Sequence, residues 1–417
     1  MLRPLVRWSN LSVLFLVAAC GDDGATPIDA PPTPIDTPPS LCQTQGAIGQ
    51  FIRRTPNPKT LSPALGAAFS DGKMDISVAD PDVHWDGSKW VAYWAAAHGT
   101  SYTSSDLTPV IRRATSTDRT TWTIDDAPSL TRSTDATAWD RVDTETPTVV
   151  VNPNAPADRR YLMLYSGSDG AFPQPGYGFK NYQIGAAFSA DGKTFTRIPA
   201  SMSPHGKAGL VLTGAQVYPT GSAGIVADPE VVLVNGIYHL YFSSFSCGGT
   251  NCATVETFGI AHAYSPDGIA WTVEEAPVRS LLKTSALTSG GQQPSVIYDP
   301  VHCKWEMWLR SDDTGAVNGQ PVDFNNMAGV YRAESTDGEN WSVNFAFQRD
   351  LAWLSNEAGE DLGLLTGADV GINGNGRLML FVGFDDDNVP TGFTRPLRAG
   401  GTGPGVVTLN VATRDLP

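Results

Sequence analysis

Positive charge is scarce in this chain: 28 Lys and Arg stand against 43 Asp and Glu, a formal net charge of −15. The summed field repels phosphate polymers, which argues against nucleic acid as a partner. Charge of either sign is thin, at 17% of residues, against about a quarter in an ordinary globular protein. The chain also lacks the Ala, Glu, Lys and Leu bias of coiled coils, and nothing in it reads as a long amphipathic helix. The apolar run at residues 11–17 is too short to span a bilayer. No His accompanies the five Cys at a familiar zinc spacing. What is abundant is Gly (42), Pro (31) and aromatic residues (11 Trp, 12 Tyr, 16 Phe), within a 41% hydrophobic chain. That is too apolar for a disordered chain. It favours many short strands joined by tight turns.

The first forty residues read as addressing rather than fold. Arg3 and Arg7 precede the apolar run, which ends in Val17-Ala18-Ala19-Cys20. Small residues directly before a Cys resemble the lipobox of bacterial lipoproteins. The resemblance implies cleavage before Cys20, diacylation of its thiol and acylation of the new amino group. Each buried acyl CH₂ adds ~0.8 kcal/mol of anchoring. Gly21 follows, rather than the Asp that retains many lipoproteins on the inner membrane. The expected address is therefore the bacterial cell envelope, at the outer membrane. Residues 21–40 hold six prolines and the near-repeat TPIDAPP/TPIDTPP. Such a segment builds no core and suits an extended stalk. The expected division is a signal peptide at 1–19, a lipid-anchored linker at 20–43 and one β domain at 44–417.

Setting Cys20 aside leaves Cys42, Cys247, Cys252 and Cys303. An even number in an exported chain suggests two disulfides, with three connectivities open. The flexible GGTN turn between Cys247 and Cys252 favours that pair, which leaves Cys42 with Cys303.

A repeat runs through the rest of the chain. Ser-x-Asp followed by a turn and an aromatic residue occurs at Ser116, Ser189, Ser265 and Ser335, at spacings of 73, 76 and 70 residues. Asp-Gly is a hairpin signal, and the aromatic residue starts the next strand. A second pattern precedes each copy: a strand, a Gly/Asn/Asp-rich turn and an aromatic-rich strand. Its five copies begin near Ala79, Thr144, Ala227, Gln292 and Gly367. Pro marks the mouth of the first strand in four of the five, where no ladder donor is needed. Together the patterns predict four antiparallel strands per unit and a five-bladed β-propeller. The last unit lacks a fourth strand of its own. A strand near residues 51–54 is a candidate to complete it.

From residue 71 onward the sequence resembles the five-bladed glycosidase superfamily of arabinanases, β-xylosidases, invertases and levansucrases. The Asp-Pro of the first blade and the blade rhythm carry the resemblance. The Ser-x-Asp turns are also similar to sialidase Asp-boxes, one residue shorter and structural. The resemblance implies three carboxylates facing a central pit. An Asp before Pro in blade one is base or nucleophile, matched by Asp80. An Asp before Pro in blade three tunes pKa or holds substrate, matched by Asp228. A Glu two residues before Pro in blade four is the general acid, and here that position is Gln292.

Glycoside cleavage needs one protonated and one ionised carboxyl flanking the scissile bond, so a replacement acid must reach the same pit. Glu145, two residues before Pro147 in the second unit, has the right register. Asp82, Glu230 and Asp369 stand near the strand mouths, either as substrate contacts or as structural groups. Gln292 and Gln293 are candidates to hydrogen-bond sugar hydroxyls, and Arg310 to pair with a pit carboxylate. His84 and His98 read as packed or surface residues before site acids. Trp139, Phe172, Tyr177 and Trp353 are loop aromatics that could stack on sugars or pack their own loops. The run Asp385-Asp386-Asp387-Asn388 could bind Ca²⁺, although a solvated loop is the default, and no cofactor is expected. The expected partner is an oligo- or polysaccharide. The leading expectation is a glycoside hydrolase-like lipoprotein, and the alternative is a non-catalytic glycan-binding or protein-interaction propeller.

Overall fold

The computed structural model describes residues 42–44, 51–53, 69–101, 104–171, 180–218, 223–248, 254–274, 291–311, 316–317, 320–321, 330–342, 366–374, 376–385 and 406–415. Cys20, Phe172, Tyr177, Cys252, Trp353 and residues 386–388, singled out above, lie outside them.

Antiparallel hairpins follow one another along the chain and build an all-β propeller. The first sheet comprises Met74–Trp85, Trp90–Gly99, Thr108–Ser116 and Thr123–Ile124. The second comprises Asp143–Val151, Tyr161–Ser168, Gln183–Ser189 and Thr196–Arg197. The third comprises Ala223–Val234, Ile237–Gly248, Thr254–Ser265 and Thr272–Val273. The fourth comprises Gly291–Asp299, Lys304–Ser311, Val330–Ser335 and Trp341–Ser342. The fifth comprises Thr366–Asn373, Gly376–Asp385 and Val406–Asp415. Its outer edge is Ile52–Arg53, paired with Val406–Asp415 through Ile52 opposite Thr413. Two additions escape the sequence pattern: Leu130–Thr131 on the first sheet and Leu210–Leu212 on the second. Both are too short to carry a period.

The repeated Ser-x-Asp turns have one geometry. Ser189 Oγ accepts the amides of Asp191 and Gly192, and Asp191 Oδ1 accepts those of Lys193 and Thr194. The same four bonds recur at Ser116/Asp118, Ser265/Asp267 and Ser335/Asp337. The turn needs a left-handed residue after the Asp. Gly192, Gly268 and Gly338 supply it at φ of 69°, 74° and 81°, while Arg119 takes it at 70°. A Cβ makes that conformation cost ~1–2 kcal/mol.

Packing runs between sheets. Leu162, Leu164, Val226 and Leu240 fill the seam between the second and third sheets. Trp90, Trp94, Leu378 and Leu380 fill that between the fifth and first. The N-terminal segment closes onto the fourth and fifth sheets: Phe51 is 1% exposed and meets Trp308 edge-on at 6.0 Å. Gln43 donates its amide to Val301 O at 3.0 Å, and Cys42 is disulfide-bonded to Cys303. Cys247 sits on Ile237–Gly248, opposite Ala223. Among the described residues, no helix is long and apolar enough to cross a membrane.

Candidate active site

Every first strand breaks its pairing at one register. The ladder slips between Ala79 and Asp82, Glu145 and Thr148, Ala227 and Glu230, Gln292 and Ser295, and Thr366 and Asp369. In the first four sheets a proline occupies the slip, a position where its missing N–H leaves no orphan. The residue before each proline is left-handed: φ is 51° at Asp80, 48° at Thr146, 51° at Asp228 and 49° at Gln293. Four non-glycine residues held this way store ~1–3 kcal/mol each, and such strain gathers where side chains must be aimed.

What they are aimed at is one central cavity. Asp80, Thr146, Asp228 and Gln293 line it together with Glu230, Ala368 and Asp369. Its volume is about 30 Å³, room for one or two waters. Hydrogen bonds from neighbouring sheets fix the strained residues. Asp228 N donates to Ser166 Oγ at 3.0 Å, and Gln293 N to Ser243 Oγ at 2.8 Å. Thr146 Oγ1 donates to the same Ser166 hydroxyl. Gln293 Nε2 donates to Asp80 Oδ1 at 3.2 Å, tying the first and fourth sheets across the cavity.

The residue after each proline behaves differently. Val149 N donates to Asp82 Oδ1 at 3.2 Å, Val231 N to Thr148 Oγ1 at 3.2 Å, and Val296 N to Glu230 Oε1 at 3.4 Å. Val370 N donates to Ser295 Oγ at 2.9 Å, and Val83 N to Asp369 Oδ2 at 2.5 Å. The bonds run first to second, second to third, third to fourth, fourth to fifth and fifth back to first. They form one closed cycle through all five sheets. Burial shifts two of its acids. Burial, then the charge of Asp82, raises Asp369 to about 7. Burial, then the charges of Asp369 and Asp82, raises Glu230 well above the carboxylate range.

Glu145 is half-buried and opens the second sheet, opposite Ser166. Burial lifts its carboxyl to about 7 against a hydrogen bond from Tyr182, and the charges of Asp143 and Asp228 add to the rise. Tyr182 also reaches Asp143 Oδ2 at 3.4 Å, and Lys180 Nζ holds the same oxygen at 2.5 Å. Asp228 therefore faces the central cavity and also acts on Glu145. Glu145 itself is not part of the cavity wall.

The other predicted residues separate as follows. Gln292 is buried at 6% exposure, one residue behind the wall, and pairs in register with Arg310. The Arg310 side chain lies outside the described structure. Asp82 turns away from the cavity, and His84 Nδ1 stands 3.6 Å from its Oδ2. His98 is buried between Asp75 Oδ1 at 3.0 Å and Asp71 Oδ2 at 2.9 Å, with Arg112 beside it, and so is a structural residue of the first sheet. Trp139 is largely packed inside, although it also lines a cavity between the second and third sheets. It is 7% exposed, stacks on Tyr165 at 5.8 Å and donates Nε1 to Ala208 O at 3.0 Å. Gly167 makes that packing possible, since a Cβ there would come within 2.7 Å of the indole.

Sequence reasoning missed Thr146, Tyr182, Asp143 and Lys180. Thr146 was findable, because it precedes Pro147 as Asp80 precedes Pro81. The set Tyr182, Asp143 and Lys180 assembles from one strand's start and the loop that leads into another, and carries no sequence signal. Among the described residues, no group of His, Cys, Asp or Glu is arranged to hold a metal ion.

No family model matches the chain, and no curated protein does. Solved structures do. A glycosyl hydrolase from Bacteroides ovatus is 16% identical, with a TM-score of 0.53 over 88% of this chain and 94% of that one. A structure from work on the GH130 family of mannoside phosphorylases, which contains glycoside hydrolases that target beta-1,2 mannosidic linkages in Candida mannan, is 14% identical. Its TM-score is 0.51, over 88% of this chain and 94% of that one. An N-acetylgalactosamine deacetylase from F. plautii, in complex with blood group B trisaccharide, is 12% identical, with a TM-score of 0.52 over 88% and 95%. The likeness is one of fold.

Proposed function

We propose that the protein is a glycoside hydrolase-like enzyme acting on an oligo- or polysaccharide, its five sheets being the blades of one five-bladed ring. The closed hydrogen-bond cycle through the five first strands supports the blade count. The observation that carries the activity is the pairing of two kinds of carboxyl near the ring's mouth. Asp80 and Asp228 are half-buried at strained pre-proline positions on one cavity wall, while Glu145 is raised to about 7, partly by Asp228. A carboxyl that keeps its proton to about 7 is suited to act as the acid.

In this reading Glu145 gives its proton to the leaving glycosidic oxygen as that bond breaks. Ionised Asp80 takes a proton from the water that attacks the anomeric carbon. Asp228 holds Glu145 protonated to a higher pH. Tyr182 and the Lys180–Asp143 pair orient the acid. Glu230 and Asp369 form the cavity floor, and Gln293 fixes Asp80. The test is purified protein against a panel of plant and microbial glycans, with Asp80→Asn and Glu145→Gln beside it. Hydrolysis lost in both variants supports the proposal. Hydrolysis unchanged by Asp80→Asn, or no hydrolysis in the parent protein, overturns it.

A second reading is non-catalytic glycan binding. One observation favours it: Gln292 and Gln293 stand where the fourth sheet would supply an acid. Calorimetry that detects oligosaccharide binding without product release would select it. For the N-terminus we propose signal cleavage before Cys20, lipidation there and a proline-rich stalk, with the domain held at the bacterial outer membrane. Radiolabelled palmitate incorporation, abolished by Cys20→Ala, tests this.

A further inference from the structure

A second cavity is larger than the central one. A cavity of about 410 Å³ lies between the second and third sheets, lined among others by Asp169, Asn181, Gln183, Lys207 and Ala215. That is within the range of ligand pockets. Strand register fixes which end of the sheets it occupies. Asp143 lies opposite Ser168, and Gly167 opposite Gln183, so Asp169 and Gln183 mark the end of the second sheet that also carries Glu145. Gly224, also in the lining, opens the third sheet shortly ahead of Asp228. Gln183 stands two strands out from Glu145, and at ~4.8 Å per strand the offset is about 10 Å.

The lining is built rather than incidental. Gln183 Oε1 accepts Gly214 N at 2.9 Å, and its Nε2 donates to Asn181 Oδ1 at 2.7 Å. That chain leaves the Asn181 amide nitrogen without a hydrogen-bond partner among the described residues. Asp169 is occupied, by Ala171 N at 2.9 Å and by Arg141 Nη1 at 3.3 Å. Lys207 is exposed and has no ion-pair partner among the described residues. Two donors are thus open among the described residues, the Lys207 ammonium and the Asn181 amide. Groups of this type receive the hydroxyl, carbonyl or carboxylate oxygens of a sugar.

We infer that this cavity is a distal sugar subsite, so that the ligand is an oligosaccharide reaching from the central mouth to the seam between the second and third sheets. The inference rests on the glycan reading given above. Lys207 and Asn181 donate to acceptor oxygens of the distal residue, and Gln183 holds Asn181 in place. A monosaccharide cannot bridge the two cavities, so affinity grows with chain length until the subsite is filled.

The test is calorimetric titration of the full chain carrying Asp80→Asn, which prevents turnover. The probes are manno-, xylo- and galacturono-oligosaccharides from disaccharide to hexasaccharide. Affinity is expected to rise with length in at least one series. Lys207→Ala, and separately Ala215→Trp, which fills the cavity from an exposed position, are each expected to weaken the longest oligomer by about tenfold while sparing the disaccharide. Binding that does not grow with length, or growth that survives both substitutions, overturns the subsite and leaves the glycan reading standing. No binding of any series overturns both. A gain confined to galacturono-oligomers identifies the acceptor as a carboxylate, and a gain in the neutral series identifies it as hydroxyl.

Discussion

On the first strands of the first four sheets, two residues separated by a single proline do different work. The residue before it is strained, half-buried or nearly buried, and turned to the central cavity. The residue after it is polar, buried and bonded to the next sheet's backbone amide. Asp80 and Asp82 are the same residue type, and so are Asp228 and its neighbour Glu230 in charge. Chemistry of the side chain therefore does not distinguish site from scaffold here. Position does for Asp80 and Asp82, because the slip in the ladder reverses which way the chain faces, whereas Glu230 and Asp369 bond to the next sheet and line the cavity as well. A ring of strained residues is tolerable because a second ring, one proline further on, ties the sheets together.

The largest effect expected from breaking this comparison is on the cavity side. Removing one acid or base typically lowers turnover by about 10²–10⁴-fold. Glu145→Gln is expected to fall in that range in a hydrolysis assay, with an unchanged circular dichroism spectrum. Because Glu145 must be protonated to act and titrates at about 7, the parent activity should decline as pH rises through that value.

On the scaffold side, Asp369→Ala leaves the Val83 amide buried and unsatisfied. It should lower unfolding free energy by about 1–3 kcal/mol in urea titration, with Asp369→Asn milder because its carbonyl still accepts. The same residue sets a pH dependence. Folded Asp369 keeps its proton up to about 7, whereas an unfolded Asp loses it near ~3.9. Between those values the folded state binds the proton that the unfolded state has released. Stability from this group is therefore complete below ~4 and is lost as pH rises through about 7. Glu230 acts in the same direction. The urea midpoint should be lower at roughly pH 8 than at roughly pH 5, and Asp369→Asn should flatten the slope.

The smallest effect concerns the outer turns. Arg119 occupies the left-handed position that Gly fills in the three sister turns. Arg119→Gly should stabilise by about 1 kcal/mol, seen as a raised thermal midpoint. No change there would mean that contacts of the Arg side chain offset the strain.

Much of the architecture was legible because it repeats. The Ser-x-Asp turns and the prolines at strand mouths recur with one local geometry each, and local geometry is what sequence encodes directly. Ile52–Arg53 as an outer strand was foreseen only because the last unit lacked one. The site was legible in part. Asp80, Asp228 and Gln293 could be aligned by their prolines, and so could Thr146, had the residue before Pro147 been weighed equally with Glu145. The closed cycle of Asp82, Thr148, Glu230, Ser295 and Asp369 also lies at one register, but its meaning depends on amides from the next sheet. Trp139 packs inward because Gly167 and Gly185 leave it room on a strand far away in sequence. Contacts of that kind leave no local pattern.

The most direct measurement sets Asp80→Ala beside Asp82→Ala, assaying glycan hydrolysis and thermal midpoint for both proteins. Asp80→Ala should abolish turnover with a smaller loss of midpoint than Asp82→Ala, since the Gln293 amide that it frees lines the open cavity. Asp82→Ala should lower the midpoint by depriving the Val149 amide of its acceptor. Loss of stability without loss of turnover at Asp80, together with the reverse at Asp82, would contradict the division of labour across the proline.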